Sequence, residues 1–282
     1  MADMTWQCRW SSTLGELEAT HQEIWGTSDY VNDTDPTVFM GLYSLVDFYA
    51  LWRHKGRKAV LWCGSDIKHF SDGYWLDKRG LLTVMPYSLG VWINKNCESW
   101  TENQVERKAL MKFGIKAKVC PSFLGDVNKF EVRWKYAKRP KVYCSVSGDN
   151  FEMYGWDTIE RVAEFCQVDF YLYGNIKRWK TRHKNVFVRG RVTKEVMNKE
   201  IEEMQCGLRP LEFDGFSEVL AKAILMGQHP ISRIKYPMIA SYETDDELIS
   251  QLNKLQRIIR PNIDARDFYL KKLNQFPWNT NA

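Results

Sequence analysis

Residues 209–227 read RPLEFDGFSEVLAKAILMG and join a polar glycine turn to an apolar helical run. The turn is Asp214-Gly215-Phe216-Ser217, and the residues at helical spacing after it are Val219, Leu220, Ala223, Ile224 and Met226. Ser217 suits an N-cap and Gly227 a helix stop. A glycine turn that enters a helix N-terminus offers backbone N–H groups and the positive end of the helix dipole, so this stretch predicts a diphosphate site.

The chain around this stretch alternates short apolar strands with helices. The predicted strands are residues 142–146, 168–173, 185–188 and 206–209, with predicted helices at 157–166 and 193–204. Such an alternation makes a parallel, doubly wound sheet that binds ligands at the carboxyl ends of its strands. The turns expected at those ends are Ser147-Gly148, Gly174 and Gly190-Arg191-Val192.

The first half of the chain has the same rhythm after residues 1–35, which give no clear pattern. Residues 37–42 and 58–63 predict strands around a helix at 45–52; Gly41 lies at the end of the first strand and Asp66 follows the second. Residues 101–104 predict a capping box, followed by a helix at 105–113 and a strand at 116–120. Asp126 begins a linker that reaches Arg139.

Length and composition limit the number of domains and the class of protein. The 282 residues are enough for two compact domains, and a net charge of +5 is only mildly basic. Seven scattered cysteines without a C-x-x-C spacing argue against a disulfide framework and a zinc site. No apolar run approaches the roughly 20 residues that cross a bilayer, and the N-terminus has no signal-peptide pattern, so we expect a cytoplasmic protein.

The 209–227 stretch resembles the signature of GT-B glycosyltransferases of family four (glycosyl transferases group 1). In that signature an acidic residue, a glycine, an aromatic or aliphatic residue and a small residue open a helix that ends A-x-x-x-G. The matching residues are Asp214, Gly215, Phe216, Ser217, Ala223 and Gly227. The family usually has a second carboxylate for the donor ribose eight residues after the first, where this chain has Lys222. The resemblance is good over residues 141–255 and weak over 37–121.

The resemblance implies an α/β protein with two Rossmann-like, doubly wound parallel-sheet domains facing a cleft. We expect an N-terminal acceptor-side domain at residues 1–135, a nucleotide-sugar-binding domain at 136–262 and a C-terminal helix at 263–282 that crosses back to the first domain. The implied activity is transfer of a hexose or pentose from a nucleoside-diphosphate sugar, such as a UDP-sugar, to an acceptor hydroxyl. Retention of anomeric configuration is also implied.

Asp214 is the expected catalytic carboxylate near the donor sugar. Asp66 is a second catalytic candidate, which could orient or deprotonate the acceptor, and its alternative role is a turn or N-cap aspartate. The expected donor-binding residues are Gly41, Ser147, Gly148, Gly174, Gly190, Arg191, Val192, Arg209, Gly215, Phe216, Ser217 and Lys222. Tyr154 stands where the family commonly has a phosphate-binding lysine.

No metal and no cofactor are expected, since the helix N-terminus and Arg209 serve the diphosphate. Asp33-Thr34-Asp35 has the D-x-D form of a metal site, but it precedes Pro36 without a leading strand and is better interpreted as a turn.

Two basic stretches bear on the acceptor, which is a glycan or, as second choice, a modified base in DNA of the kind that bacterial viruses make. One stretch is the linker, and the other contains Lys177, Arg178, Lys180 and Arg182 around Trp179. Basic residues interleaved with aromatics suit a polyanion, and the alternative is a solvated face. A non-catalytic protein of the same fold that binds a nucleotide-sugar or a polyanion is the rival to transfer activity. Lys222 and Tyr154 favour this alternative, because both positions differ from the residues common in the resembling family.

Overall fold

A computed structural model describes residues 5–71, 86–146, 150–175 and 179–280. The chain forms two compact units. The first unit contains Met1–Asp126, Phe213–Phe216 and Lys272–Ala282, and the second contains Val127–Glu212 and Ser217–Lys271.

In the described part of the first unit, parallel strands form a six-stranded sheet. The strands are β1 (Gln7–Trp10), β2 (Ser28–Asp29), β3 (Thr37–Met40), β4 (Lys58–Leu61), β5 (Glu98–Thr101) and β6 (Lys118–Val119). They lie in the order β2-β1-β3-β4-β5-β6. The helices are α1 (Glu18–Trp25), α2 (Leu45–Arg53), α3 (Ser65–Ser71), α4 (Pro86–Asn96) and α5 (Gln104–Met111).

The described part of the second unit repeats this architecture with six parallel strands in the order β12-β11-β10-β7-β8-β9. The strands are β7 (Lys141–Ser145), β8 (Asp169–Tyr173), β9 (Val186–Gly190), β10 (Cys206–Arg209), β11 (Ile231–Ser232) and β12 (Ala240–Ser241). The helices are α6 (Trp156–Val162), α7 (Lys194–Ile201), α8 (Glu218–Leu225), α9 (Asp245–Lys254) and α10 (Ile263–Leu270). The predicted α/β class with two doubly wound parallel sheets is therefore confirmed.

The strands that the sequence did not predict have little apolar pattern. In β1, Gln7 and Arg9 are polar, yet Gln7 is buried and its Oε1 accepts a hydrogen bond from Val31 N at 2.6 Å. Arg9 forms an ion pair with Asp47 at 3.2 Å. Hydrogen-bond and ion-pair partners from other segments thus offset the cost of burying the polar side chains of β1, which lies between β2 and β3. The two-residue strands β2, β11 and β12 are defined by pairing alone.

One local prediction needs correction. The N-cap expected at residue 101 lies two residues later, because Asn103 is the N-cap of α5. Its Oδ1 accepts from Val105 N and Glu106 N, both at 3.0 Å. The carboxylate of Glu106 accepts from the N–H of Glu102, the residue before the cap, at 2.8 Å. Glu102 is therefore outside the helix, and its side chain is available to another part of the chain.

Each unit has its own aromatic-rich core. In the first unit, Phe276 and Trp278 stack on each other and meet Trp25 and Trp100 edge to face. The residues after α10 thus complete a core begun near the N-terminus, while α10 itself packs on α8 in the second unit. All seven cysteines are free thiols, as their spacing predicted. Among the described residues, no helix has the length and apolar character needed to cross a bilayer.

Candidate functional site

The β10 to α8 connection forms as the sequence predicted. Ser217 is the N-cap of α8, and its Oγ accepts from Leu220 N at 3.4 Å. Gly227 has a φ of +72°, which suits the residue that ends a helix in the left-handed region. The helix is buried from Val219 to Leu225, so its axis is fixed by packing against the sheet. Its N-terminal N–H groups therefore have a fixed direction.

Arg209 ends β10 and brings a positive charge to the carboxyl ends of two neighbouring strands. One guanidinium nitrogen donates to the carbonyl of Ser145, the last residue of β7, at 3.1 Å. The guanidinium carbon lies 4.6 Å from the centre of the Tyr154 ring, a cation–π distance. Tyr154, which replaces the lysine common in the family, thus helps to hold a cation supplied by Arg209.

The predicted turns of the second unit gather at the same edge of its sheet. Gly174 follows β8 and donates its N–H to the carbonyl of Gly190, the last residue of β9, at 3.1 Å. Arg191, which follows Gly190, is exposed, and Val192 is half-buried. Ser147 and Gly148 lie outside the described residues. Gly41 follows β3 in the first unit, so it belongs to the other sheet.

Lys222 is buried on α8, with 4% of its surface exposed. Its Nζ forms an ion pair with Glu218 Oε2 at 2.8 Å, one helical turn earlier. Burial raises the pKa of Glu218, but the nearby charges of Lys222 and Lys194 outweigh burial and hold that pKa below its ordinary value. The position that departs from the family signature therefore carries a paired cation, with its carboxylate partner in the first turn of the helix.

The turn that contains Asp214 belongs to the first unit, although the residues on both sides of it belong to the second. Asn103 Nδ2 donates to the carbonyl of Asp214 at 2.6 Å. Phe216 N donates to Glu102 Oε2 at 2.9 Å. The half-buried Asp214 side chain is thus carried on a backbone that the N-terminal end of α5 holds in place.

Three carboxyl groups follow the strands of the first unit and are largely enclosed. Burial raises the pKa of Asp66 to about 7, against hydrogen bonds from backbone N–H groups that lower it. Burial also raises the pKa of Glu102 to about 7 and that of Glu106 well above its ordinary value. The negative charges of Glu102 and Asp214 add to the rise at Glu106. These acids have environments typical of functional or tightly packed carboxylates.

Asp66 takes the turn role that the sequence analysis weighed as its alternative. It is fully buried, and Leu42 N donates to its Oδ2 at 3.0 Å. Its Oδ1 accepts from Cys63 N at 3.0 Å and Ile67 N at 2.8 Å. Through these three backbone N–H groups the carboxylate joins the segments that follow β3 and β4.

Some residues of the basic stretches have local contacts. In the linker, Arg133 pairs with Glu202 at 2.9 Å and Arg139 with Asp169 at 2.6 Å, and just after it Lys141 of β7 pairs with Glu203 at 3.8 Å. In the other stretch, Trp179 packs on the rings of Phe151 and Trp156, so its ring is turned toward the core. Lys180 and Arg182 are exposed, whereas Lys177 and Arg178 lie outside the described residues.

Asp33-Thr34-Asp35 is a turn, as the sequence indicated. Asn32 Oδ1 accepts from Thr34 N at 3.0 Å and Asp35 N at 2.9 Å, and Asp33 pairs with Lys55 at 3.2 Å. Within the described ranges, no group of His, Cys, Asp and Glu residues has the arrangement of a metal site.

Comparison with solved structures finds glycosyltransferases. The lipopolysaccharide outer core galactosyltransferase WaaB gives a TM-score of 0.66 at 11% identity, over 96% of this chain and 95% of WaaB. Anabaena HepE, solved with UDP and glucose, gives 0.61 at 12% identity over 95% of each chain. A mutant of S. aureus TarM gives 0.53 at 14% identity over 91% of this chain, which spans only 53% of TarM.

At these identities the similarity shows the fold alone, and that fold is the GT-B fold named by the resemblance. No protein-family model and no curated protein sequence matches the chain. The assignment to family four stays a prediction.

Proposed function

We propose that the protein is a glycosyltransferase that moves a sugar from a nucleoside-diphosphate sugar to an acceptor hydroxyl. The observation that carries this proposal is the agreement in fold over nearly the whole of both chains with WaaB, a galactosyltransferase, and with HepE, which binds UDP and glucose. Fold alone does not define chemistry, so the local features of the second unit are the necessary support.

The proposed donor site lies at the carboxyl ends of β7, β8, β9 and β10. Arg209 supplies a positive charge that Ser145 and Tyr154 hold in place, and α8 supplies the positive end of its dipole. Together they suit the two phosphates of a uridine diphosphate, the nucleotide bound by HepE. We place the nucleoside at the glycine turns after β8 and β9.

In the proposed reaction the bond between the anomeric carbon and the diphosphate oxygen breaks, and a bond to the acceptor oxygen forms as that oxygen loses its proton. Negative charge develops on the diphosphate and positive charge on the sugar ring. Fixed cations and dipoles near the leaving group, with a carboxylate near the ring, stabilise that charge separation. Arg209 and the α8 dipole would stabilise the leaving diphosphate, and Asp214 would stabilise the positive sugar ring. The resemblance implies that the anomeric configuration is retained.

We propose a carbohydrate acceptor in preference to DNA, because Arg133 and Arg139 of the linker and Lys141 of β7 already have acidic partners. Binding to duplex DNA at about 50 and 200 mM salt separates the two acceptors, since a protein that neutralises several phosphates loses orders of magnitude in affinity over that range. Strong, steeply salt-dependent binding that falls when Lys180 and Arg182 are changed to Ala would favour DNA instead.

The deciding experiment is a screen of nucleotide-sugars that records both thermal shift and hydrolysis of the donor. A UDP-sugar is expected to raise the melting temperature and to be hydrolysed slowly without an acceptor. If no nucleoside diphosphate changes the melting temperature at millimolar concentration, the proposal fails. Binding without hydrolysis, and without transfer to any glycan in a mixed acceptor pool, would instead favour a non-catalytic binding protein.

A further inference from the structure

The turn that carries Asp214 is attached to α5 of the first unit by two side chains from neighbouring positions. Asn103 donates to the carbonyl of Asp214, and Glu102 accepts from the N–H of Phe216. The second carboxylate oxygen of Glu102 is hydrogen bonded to the Ser122 hydroxyl. One contact lies on each side of Gly215, so the backbone on both sides of the turn is held.

The close fit of this turn explains two glycines. A Cβ on Gly215 would collide with Glu102 Oε2, so a side chain there would displace the carboxylate. A Cβ on Gly64 would lie 3.1 Å from Gly215 N and 3.2 Å from Glu106 Oε1, and Gly64 also has a φ of +82°. Glycine at both positions lets the turn lie directly against the segments that follow β4 and β5.

We propose that Glu102 and Asn103 are positioning residues that fix the direction of the Asp214 side chain during sugar transfer. This inference rests on the proposed function for the role of Asp214, but the attachment of the turn is a feature of the fold. Neither residue needs to touch the donor. A small displacement of a catalytic group is enough to lose one or two orders of magnitude in rate.

The attachment depends on the protonation of Glu102. The ionised carboxylate accepts from both Phe216 N and Ser122, whereas protonation turns one oxygen into a donor. The titratable groups that interact electrostatically with Glu102 come from several elements: Asp214, Glu106, Tyr43, Cys63 and Cys120. Asp66 on α3 affects Glu102 indirectly, because its charge raises the pKa of Glu106. Burial, followed by the charge of Asp214, raises the pKa of Glu102 to about 7 against its hydrogen bonds. Positioning should therefore be complete above pH 8 and weaken below pH 7.

Three variants test the attachment. Glu102→Ala removes both contacts of the carboxylate, whereas Glu102→Gln keeps an acceptor for Phe216 N and removes the charge. Asn103→Ser keeps the helix cap but loses the donor to Asp214. Glu98→Gln is the matched control, because Glu98 lies at the start of β5 and pairs with Arg57 and Lys118, away from the turn.

Kinetics at saturating donor should separate positioning from binding. Glu102→Ala and Asn103→Ser are expected to lower kcat by about tenfold or more while the Kd for UDP changes less than about twofold. The wild type should lose kcat through an acid limb near pH 7. Glu102→Gln, which resembles the protonated carboxyl, should lack that limb and keep at every pH the reduced kcat that the wild type shows at low pH. Variants that keep the wild-type kcat and pH profile would overturn the inference.

Hydrogen exchange of the Phe216 amide tests its hydrogen bond to Glu102 without any measurement of activity. In the wild type this amide should be protected, and Glu102→Ala should release it while Glu98→Gln does not. If the wild type turns over no donor but exchange responds in this way, the proposed function fails and the attachment of the turn stands. Exchange that is unaffected by Glu102→Ala would overturn the attachment itself.

Discussion

The two sheets share one architecture, but the residues at the carboxyl ends of their strands carry opposite charge. After the strands of the second unit stand glycine turns and Arg209, whose guanidinium is held by Ser145 and Tyr154. After the strands of the first unit stand Asp66 and Glu106, both fully buried. We propose that the second set meets a negatively charged ligand. The first set binds the backbone of its own chain.

This difference shows that a parallel sheet fixes where a site is built, but not what the site does. Each sheet brings its strand ends to one edge, and the side chains that follow the strands decide the local charge. In the first unit the carboxylates stabilise turns, including the turn of Asp214. In the second unit Arg209 ends β10, and its guanidinium contacts Ser145 and Tyr154.

The largest effect is expected from Asp214→Ala. Its backbone carbonyl, rather than its side chain, accepts the Asn103 bond, so the turn should survive the substitution. We expect kcat to fall at least about a hundredfold, as when an electrostatic contact to a developing charge is removed, with the melting temperature and UDP affinity preserved. Glu212→Ala is the control, since Glu212 is exposed and pairs with Arg233. Near-wild-type turnover of the Asp214 variant would remove this residue from the mechanism.

Arg209→Leu tests the cationic edge of the second unit. Loss of a charge-assisted contact to phosphate is worth about 1.5–3 kcal/mol, so the Kd for UDP should rise roughly 10- to 100-fold in calorimetry. Arg189→Leu is the matched control, because Arg189 is a β9 cation paired with Glu200 on the surface. Equal UDP affinity in both variants would contradict the contrast between the two sheets.

Lys222→Met tests the position where the chain departs from the family signature. Without the Lys222 cation, Glu218 keeps an unpaired negative charge in the first turn of α8. That charge should repel the donor diphosphate and raise KM about three- to tenfold with little change in kcat. Glu218→Gln leaves the Lys222 cation without its carboxylate and should therefore not raise KM. An unchanged KM in Lys222→Met would restrict this ion pair to a role within α8.

Glu106→Gln tests the acidic edge of the first unit through stability. The folded-state pKa of Glu106 is raised, so its contribution to stability is complete below the unfolded-state pKa and is lost as pH rises through the folded-state value. Gln should therefore gain stability over the wild type at pH 8 but not at pH 5. We expect a Tm gain of roughly 2–4 °C at pH 8, which corresponds to about 1 kcal/mol. A gain that is equal at both pH values would contradict the raised pKa.

The smallest effect is expected from a chelator. Arg209 and the α8 dipole meet the diphosphate charge, so we propose that EDTA leaves transfer activity unchanged. Loss of activity that manganese restores, together with the same loss in an Asp33→Asn variant, would instead assign the metal to the Asp33 turn.

Much of the candidate site could be predicted because its signals are local. Ser217 caps α8 and Gly227 ends it, as the sequence predicted. β10 has the predicted bounds. Caps and buried strands depend on a few adjacent residues, so a single sequence is enough to recognise them.

The sequence by itself determined the alternation of strands and helices, the parallel sheets that follow from it, and the turn into α8. Only the tertiary structure decided which unit holds the Asp214 turn, because Glu102 and Phe216 are 114 positions apart. It also decided that Tyr154 stacks on Arg209 and that Lys222 pairs with Glu218. The physical reason is that local propensity sets backbone shape, whereas partners for charged and polar side chains are selected by packing between distant segments.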